Sequence, residues 1–192
     1  MFFLSLAVQS FSVLNRQNEV LAAHCKQQLT YLQYLGTGDF LDGVFSNWQA
    51  AILQLGSLIL FGSIFTQKGA SHSRKSPRRP GEEKGNAGGF SWIYRNSLSL
   101  AFVLLFATAF AAHVVFGTQS YNETRALTGE GPVPVLTYLG TGTFWFSTTE
   151  AWQAEVFAIG MFLLLTIYFR QEGSAESKPV QSQDDETGET NK

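Results

Sequence analysis

Charge-free apolar runs alternate with polar stretches along this chain. Residues 98–117 contain no Asp, Glu, Lys or Arg and a single His. Residues 50–65 carry no charge, and neither do residues 156–169, which follow directly on Glu155. Residues 1–14 are apolar as well, rich in Phe and Leu. Such runs predict membrane-spanning helices, because a bilayer core ~30 Å thick calls for ~20 apolar residues. The expected spans are 45–65, reached through Trp48, then a span within 90–117 with Trp92 and Tyr94 at its start, and 150–169. A helix over 2–14 is ~20 Å long at ~1.5 Å per residue, short of the full thickness. Between the runs, residues 17–28 read as a short helix, and Pro132 and Pro134 argue against a long one over 118–149.

The pattern is written twice. Tyr34-Leu35-Gly36-Thr37-Gly38-Asp39-Phe40 leads to Trp48-Gln49-Ala50, and Tyr138-Leu139-Gly140-Thr141-Gly142-Thr143-Phe144 leads to Trp152-Gln153-Ala154. The offset is 104 for both motifs (138 − 34 and 152 − 48). This is an internal repeat. It divides the chain into a first hairpin repeat at 1–66, a basic flexible linker at 67–91, a second hairpin repeat at 92–170 and an acidic, disordered tail at 171–192. Carried back at the same offset, Phe2 pairs with Phe106, Ala7 with Ala111, and Asn18-Glu19 with Asn122-Glu123. Met1 then falls on Leu105, partway along the third run, so the first helix is expected to be truncated. The expected fold is an all-α integral membrane bundle of four transmembrane helices in two hairpin repeats. Two spans per copy make the copies parallel, related by a pseudo-two-fold axis along the membrane normal. The Gly-Thr-Gly segments predict a sharp change of chain direction.

Averages over the 192 residues, 45% hydrophobic and 15% charged, would suit a soluble domain and conceal the clustering. The net charge of −2 says little about partners. The placement of charge says more. Lys68, Arg74, Lys75, Arg78, Arg79 and Lys84 crowd the linker, against Arg16 and Lys26 in one inter-span segment and Arg125 in the other. The positive-inside rule therefore places the linker, and with it both termini, in the cytoplasm of a multi-pass cell-membrane protein. The bilayer is the expected partner, with anionic lipid at Arg74, Lys75, Arg78 and Arg79. Homo-oligomers are compatible with such a bundle, and nothing points to nucleic acid. Cys25 is the sole cysteine and reads as an unpaired thiol. Asn122-Glu123-Thr124 fits a glycosylation pattern that three residues often match by chance.

Few residues carry candidate chemistry. Trp48, Trp152 and Trp92 read as interfacial anchors. Gln49 and Gln153, just inside the spans, are placed to bond across the two-fold axis. Glu155 lies three residues past Trp152 on the same helical face, and its counterpart is Ala51. A carboxylate there is either a proton or cation site or a group snorkelling at a helix start. His113 pairs with Gln9 across the repeat, and a satisfied polar contact between helices explains it better than a ligand role. The Gly-Thr-Gly turns invite comparison with a carbonyl-lined channel filter, without its Thr-Val-Gly-Tyr-Gly order. No nucleophile–base pair, metal box or phosphate loop stands out, so the expectation is a non-enzyme with no catalytic residue, cofactor or metal.

The run Arg95-Asn96-Ser97-Leu98-Ser99-Leu100, then Tyr121-Asn122-Glu123, Tyr138-Leu139, Phe144-Trp145, Trp152-Gln153-Ala154-Glu155 and the exit Arg170-Gln171-Glu172-Gly173-Ser174-Ala175-Glu176-Ser177-Lys178 resembles a family of small bacterial integral membrane proteins. That family is catalogued as a domain of unknown function with two tandem transmembrane hairpins. The resemblance covers most of the chain and implies a bacterial inner-membrane protein, with no activity attached. The chain departs from the family pattern at its N-terminus and at Ala51, where an acidic residue is expected after the first Trp-Gln-Ala. Two functions follow as expectations. One is a structural or stress-related membrane component acting through helix–helix contacts. The other is a small transporter or channel with a polar path near the two-fold axis.

Overall fold

The computed structural model describes residues 1–65, 69–71 and 92–186. Among these residues the chain is all-helical. The helices run in the order α1 (Phe2–Ala23), α2 (Tyr31–Leu35), α3 (Gly38–Ile64), α4 (Trp92–Arg95), α5 (Ser97–Leu127), α6 (Val135–Leu139) and α7 (Gly142–Tyr168). The linker positions Arg74, Lys75, Arg78 and Arg79 lie outside the described residues.

Three helices, α3, α5 and α7, are long and apolar enough to cross a membrane. Four were expected, and α1 is the one that falls short. Its apolar start gives way after Leu14 to Asn15-Arg16-Gln17-Asn18-Glu19 within one continuous helix. Hydrogen bonding of successive turns carries the helix through that polar stretch, so the separate short helix expected over 17–28 does not form. Polarity and helicity part company at the other spans too. Both α3 and α7 begin well before their charge-free runs, and α5 continues for ten residues past Gly117 to Leu127. Pro134, which lacks the N–H a helix interior needs, serves as the N-cap of the short α6.

Element bounds recur at the 104-residue offset. The bounds of α2 carry to those of α6 (31 to 135, 35 to 139), and the bounds of α3 to those of α7 (38 to 142, 64 to 168). Individual hydrogen bonds recur with them. The Asn18 side chain grips the Leu29 backbone, its Nδ2 donating to the carbonyl at 3.0 Å and its Oδ1 accepting from the amide at 2.7 Å. Asn122 holds Val133 the same way, at 3.0 and 2.8 Å. That amide, the group a glycan would need, is therefore committed to the fold.

The Gly-Thr-Gly segment is a helix-to-helix junction. Gly36 and Gly140 cap α2 and α6 in ordinary right-handed geometry, with φ of −93° and −83°. No unusual backbone angle is used, contrary to the expected role of these glycines. Thr37 donates its hydroxyl back to the Tyr34 carbonyl at 2.7 Å and accepts the Phe40 amide at 3.3 Å, capping the start of α3. Thr141 repeats this with Tyr138 and Phe144, again at 2.7 and 3.3 Å. Only Gly38 is sterically demanded. A Cβ there would run into the backbone of Gln119 and Ser120 on α5, whereas one at Gly142 would meet nothing within 4 Å. The end of α1 is a Schellman turn, with Lys26 N–H donating to Leu21 O at 2.8 Å and Cys25 N–H to Ala22 O at 3.0 Å. Cys25 takes φ of +54° at the position where Gly129 stands at +77° after α5.

Two compact units can be distinguished, Met1–Gln49 with Ala107–Thr149, and Ala50–Phe106 with Glu150–Lys192. In the second, Gly56 packs against Phe102, its position for a Cβ lying 3.4 Å from the Phe102 Cβ, while a Cβ at Gly160 would meet nothing. The chain after α7 turns back in the same unit. Arg170 pairs with Asp184 at 2.8 Å, and Lys178 donates to the carbonyls of Gln183, Asp184 and Glu186 at 3.0–3.2 Å.

Two stability measurements follow. Gly38→Ala lowers thermal stability in detergent by about 1–3 kcal/mol through backbone overlap, while Gly142→Ala is neutral or slightly stabilising. Equal effects of the two would remove the close approach of α3 and α5. Cys25→Gly raises stability by about 1 kcal/mol by relieving the left-handed residue; a loss of stability would show that the thiol side chain contributes more than its strain costs.

Candidate functional site

The buried positions of α5 include Ala109, His113 and Gly117, spaced by four so that they share one face. The small residues on either side of His113 let neighbouring chains come close. On α7 the buried residues are Phe144 and Thr148, also four apart. Asp42 reaches the same place from the second turn of α3. His113 itself is 0% exposed, and both its ring nitrogens are bonded. Nδ1 lies 2.6 Å from Asp42 Oδ1, and Nε2 lies 3.0 Å from Thr148 Oγ1.

The chemistry of this arrangement follows from its donors and acceptors. A carboxylate only accepts, so Nδ1 carries a hydrogen and donates to Asp42. Nε2 is then the variable nitrogen. The Thr148 hydroxyl donates to it when the imidazole is neutral and, after rotating, accepts from it when the imidazole is protonated. Each ring nitrogen thus has one polar partner, Asp42 at Nδ1 and Thr148 at Nε2.

Aromatic rings close the site. Phe144 stacks on the imidazole with centroids 5.6 Å apart, Phe110 meets it edge-on at 6.3 Å, and Tyr138 sits edge-on to Phe144 at 5.5 Å. Gly117 forms the floor. A Cβ there would lie 2.5 Å from Tyr138 Oη and 2.9 Å from Asp42 Oδ1, so both polar groups gather over the missing side chain. Burial, and after it the Asp42 charge, push the Tyr138 phenol up to about 12, with a hydrogen bond from Ser147 holding the rise back. Tyr138 is therefore a neutral hydroxyl at any physiological pH.

A polar cavity of about 180 Å³ adjoins the pair in the same unit, with Asp42 in its wall alongside Gln9, Arg16, Tyr34 and Asp39. It has room for several waters at ~30 Å³ each and the polar partners to hold them. Burial followed by the Asp39 charge raises the Tyr34 phenol too, and its hydroxyl donates towards Asp39 at 3.5 Å. Glu123 Oε1 accepts from the Gly38 amide at 3.1 Å, a carboxylate at the positive end of α3. The cavity thus carries charged and hydroxyl groups from solvent-exposed Arg16 to the half-buried Asp42.

The residues singled out by sequence are spread over this frame. His113 forms the centre of the site. Gln9, its counterpart in the first copy, is exposed on the wall of the polar cavity. Gln49 is fully buried and Gln153 is exposed, and neither lines the polar cavity. Glu155 and Trp152 line a separate cavity in the second unit. Trp48 and Trp92 are 44% and 68% exposed, and Trp152 is half-buried with Phe106 6.4 Å away. Asp42, Thr148, Tyr138, Asp39 and Arg16 were missed. A signal was present. The counterparts of Asp42 and Thr148 across the offset are Phe146 and Val44, so both partners of His113 stand where the copies differ. Reading the repeat for its identities passed over them. Among the described residues no three His, Cys, Asp or Glu side chains are grouped for a metal ion.

Among the described residues the chain is all-helical, and three of its helices are long and apolar enough to cross a membrane, with a bonded imidazole buried on one of them. The chain belongs to the family described as "Domain of unknown function (DUF6766)", whose family model matches residues 1–189. Neither the curated proteins nor the solved structures give a significant match.

The raised Tyr138 value sets a pH dependence. The folded state favours the protonated phenol, so its contribution is complete below the ordinary value of ~10 and is lost as the pH rises through about 12. Melting temperatures in detergent therefore fall across that window, and Tyr138→Phe makes the fall shallower. An unchanged slope in the variant would place Tyr138 in contact with water.

Proposed function

We propose that this protein is a small membrane transporter or channel that handles protons, with His113 as the group that takes up and releases them. The observation that carries the reading is the fully buried imidazole held between Asp42 and Thr148. Ionisable groups inside apolar helices are costly, and their presence there is by default a sign of function. The polar cavity reaching Asp42 supports a path for protons to and from the site. No enzymatic step belongs to this reading.

In the same reading the chain is a duplicated hairpin with parallel copies, supported by the coincident bounds of α2 with α6 and α3 with α7 and by the paired asparagine clips. The polar path does not follow the symmetry of the copies. His113, Asp42 and Thr148 each face a different residue type across the offset, giving one centre per chain. We place the protein in a bacterial inner membrane with the basic linker cytoplasmic. The hairpin of α5 and α7 returns the C-terminus to that side. Three spans alone leave the N-terminal segment on the outer side, and a fourth crossing by α1 would bring Met1 to the cytoplasm. Anionic lipid at Arg74, Lys75, Arg78 and Arg79 and a homo-oligomeric state belong to this proposal too.

A second reading, a structural or stress-related component acting through helix contacts, is favoured by the close backbone approach at Gly38. Proton flux separates the two. Proteoliposomes loaded with potassium and treated with valinomycin take up protons through the wild type, and His113→Asn or Asp42→Asn lowers the rate by about tenfold or more. Thr148→Ser retains it. Absence of flux in well-folded wild type, or equal flux in all variants, would leave the structural reading standing.

A further inference from the structure

The second unit holds a cavity of about 540 Å³ between α3 and α7 whose chemistry differs from that of the polar site. Its walls are mostly aliphatic and aromatic, with Phe61 and Leu58 on α3 and Val156 and Ile159 on α7. Glu155 stands in this wall, the single ionisable side chain among the described lining residues. Trp152 lies one turn before Glu155 on α7, on the same face. Its ring is kept in place against Phe106 at 6.4 Å. Gln54 and Ser57, three apart on α3, add neutral polar groups.

We propose that this cavity binds an amphiphilic organic cation, with Glu155 as its counter-ion and Trp152 as an aromatic face for its charge. The size and charge of the cavity select that class. The volume falls in the range of drug-sized ligand sites, ~300–1,000 Å³. One carboxylate, with no basic side chain among the described lining residues, favours a positive ligand and disfavours the headgroup of an anionic lipid. A small metal ion is a poor match, because it demands about six oxygen ligands and gives up water reluctantly. A large, weakly hydrated cation loses little on leaving water, gains apolar contact with the walls, and is attracted to the indole face. A neutral alkyl chain would fill the same walls but leave the carboxylate facing hydrocarbon, which is expensive.

This site does not depend on the proton centre at His113, and its test reads equilibrium binding, so the two can fail separately. Tetraphenylphosphonium is titrated into the detergent-solubilised full chain, followed by tryptophan fluorescence and calorimetry. Neutral triphenylphosphine oxide serves as the uncharged probe. Saturable binding of the cation is expected in the wild type, weakened about tenfold by Glu155→Gln and retained by Glu155→Asp. The neutral probe is expected to bind weakly and to be insensitive to Glu155→Gln. Trp152→Leu weakens the cation more than the neutral probe, and it keeps the test decisive if Glu155→Gln does not fold. Equal cation binding in wild type and Glu155→Gln, absence of saturable binding in the wild type, or equal affinity for both probes would overturn the proposal, the last outcome identifying a lipid-filled groove.

Discussion

An imidazole with no exposure, inside helices apolar enough for a bilayer, has two nitrogens that must both find partners. An unbonded polar group in such surroundings costs several kcal/mol. Much of the first unit is arranged around that requirement. Asp42 on α3 and Thr148 on α7 converge on His113 from two different helices, so the bonds that satisfy the ring also fix the register of α3 and α7 against α5. Gly117 makes the convergence sterically possible, and Phe144 and Phe110 exclude water from the ring faces.

The junctions before α3 and α7 serve the same end. Each long helix must start at a defined height if Asp42 and Thr148 are to meet the ring. Thr37 and Thr141 set those starting points by capping, and Asn18 and Asn122 tie down the loops that lead to them. Gly38 then brings the start of α3 into backbone contact with α5, where Glu123 accepts its amide. The repeated motif is thus scaffold. The bonded imidazole and its two partners are placed on it at positions where the two copies no longer match.

The second unit solves a different problem with the same helices. Its side chains leave a large apolar space and one carboxylate, where the first unit encloses a small polar space and several charged groups.

Several features were legible in the sequence by themselves. Charge-free runs long enough for a bilayer leave helices as the structure able to satisfy their backbone, so the all-helical class and three of its long elements were readable from composition along the chain. The repeated motifs were legible too, and helix bounds coincide at their offset because like local signals cap and stop helices in like places. Tertiary structure decided the rest. Whether the charge-free start of α1 amounts to a span depends on the polar residues that the same helix continues into. Which glycine of Gly-Thr-Gly is irreplaceable depends on what lies opposite, and Gly38 faces a backbone while Gly142 faces open space. The partners of His113 lie 71 and 35 residues away along the chain. Hydrogen bonds over such separations follow from how helices pack, and no local pattern in the chain encodes them.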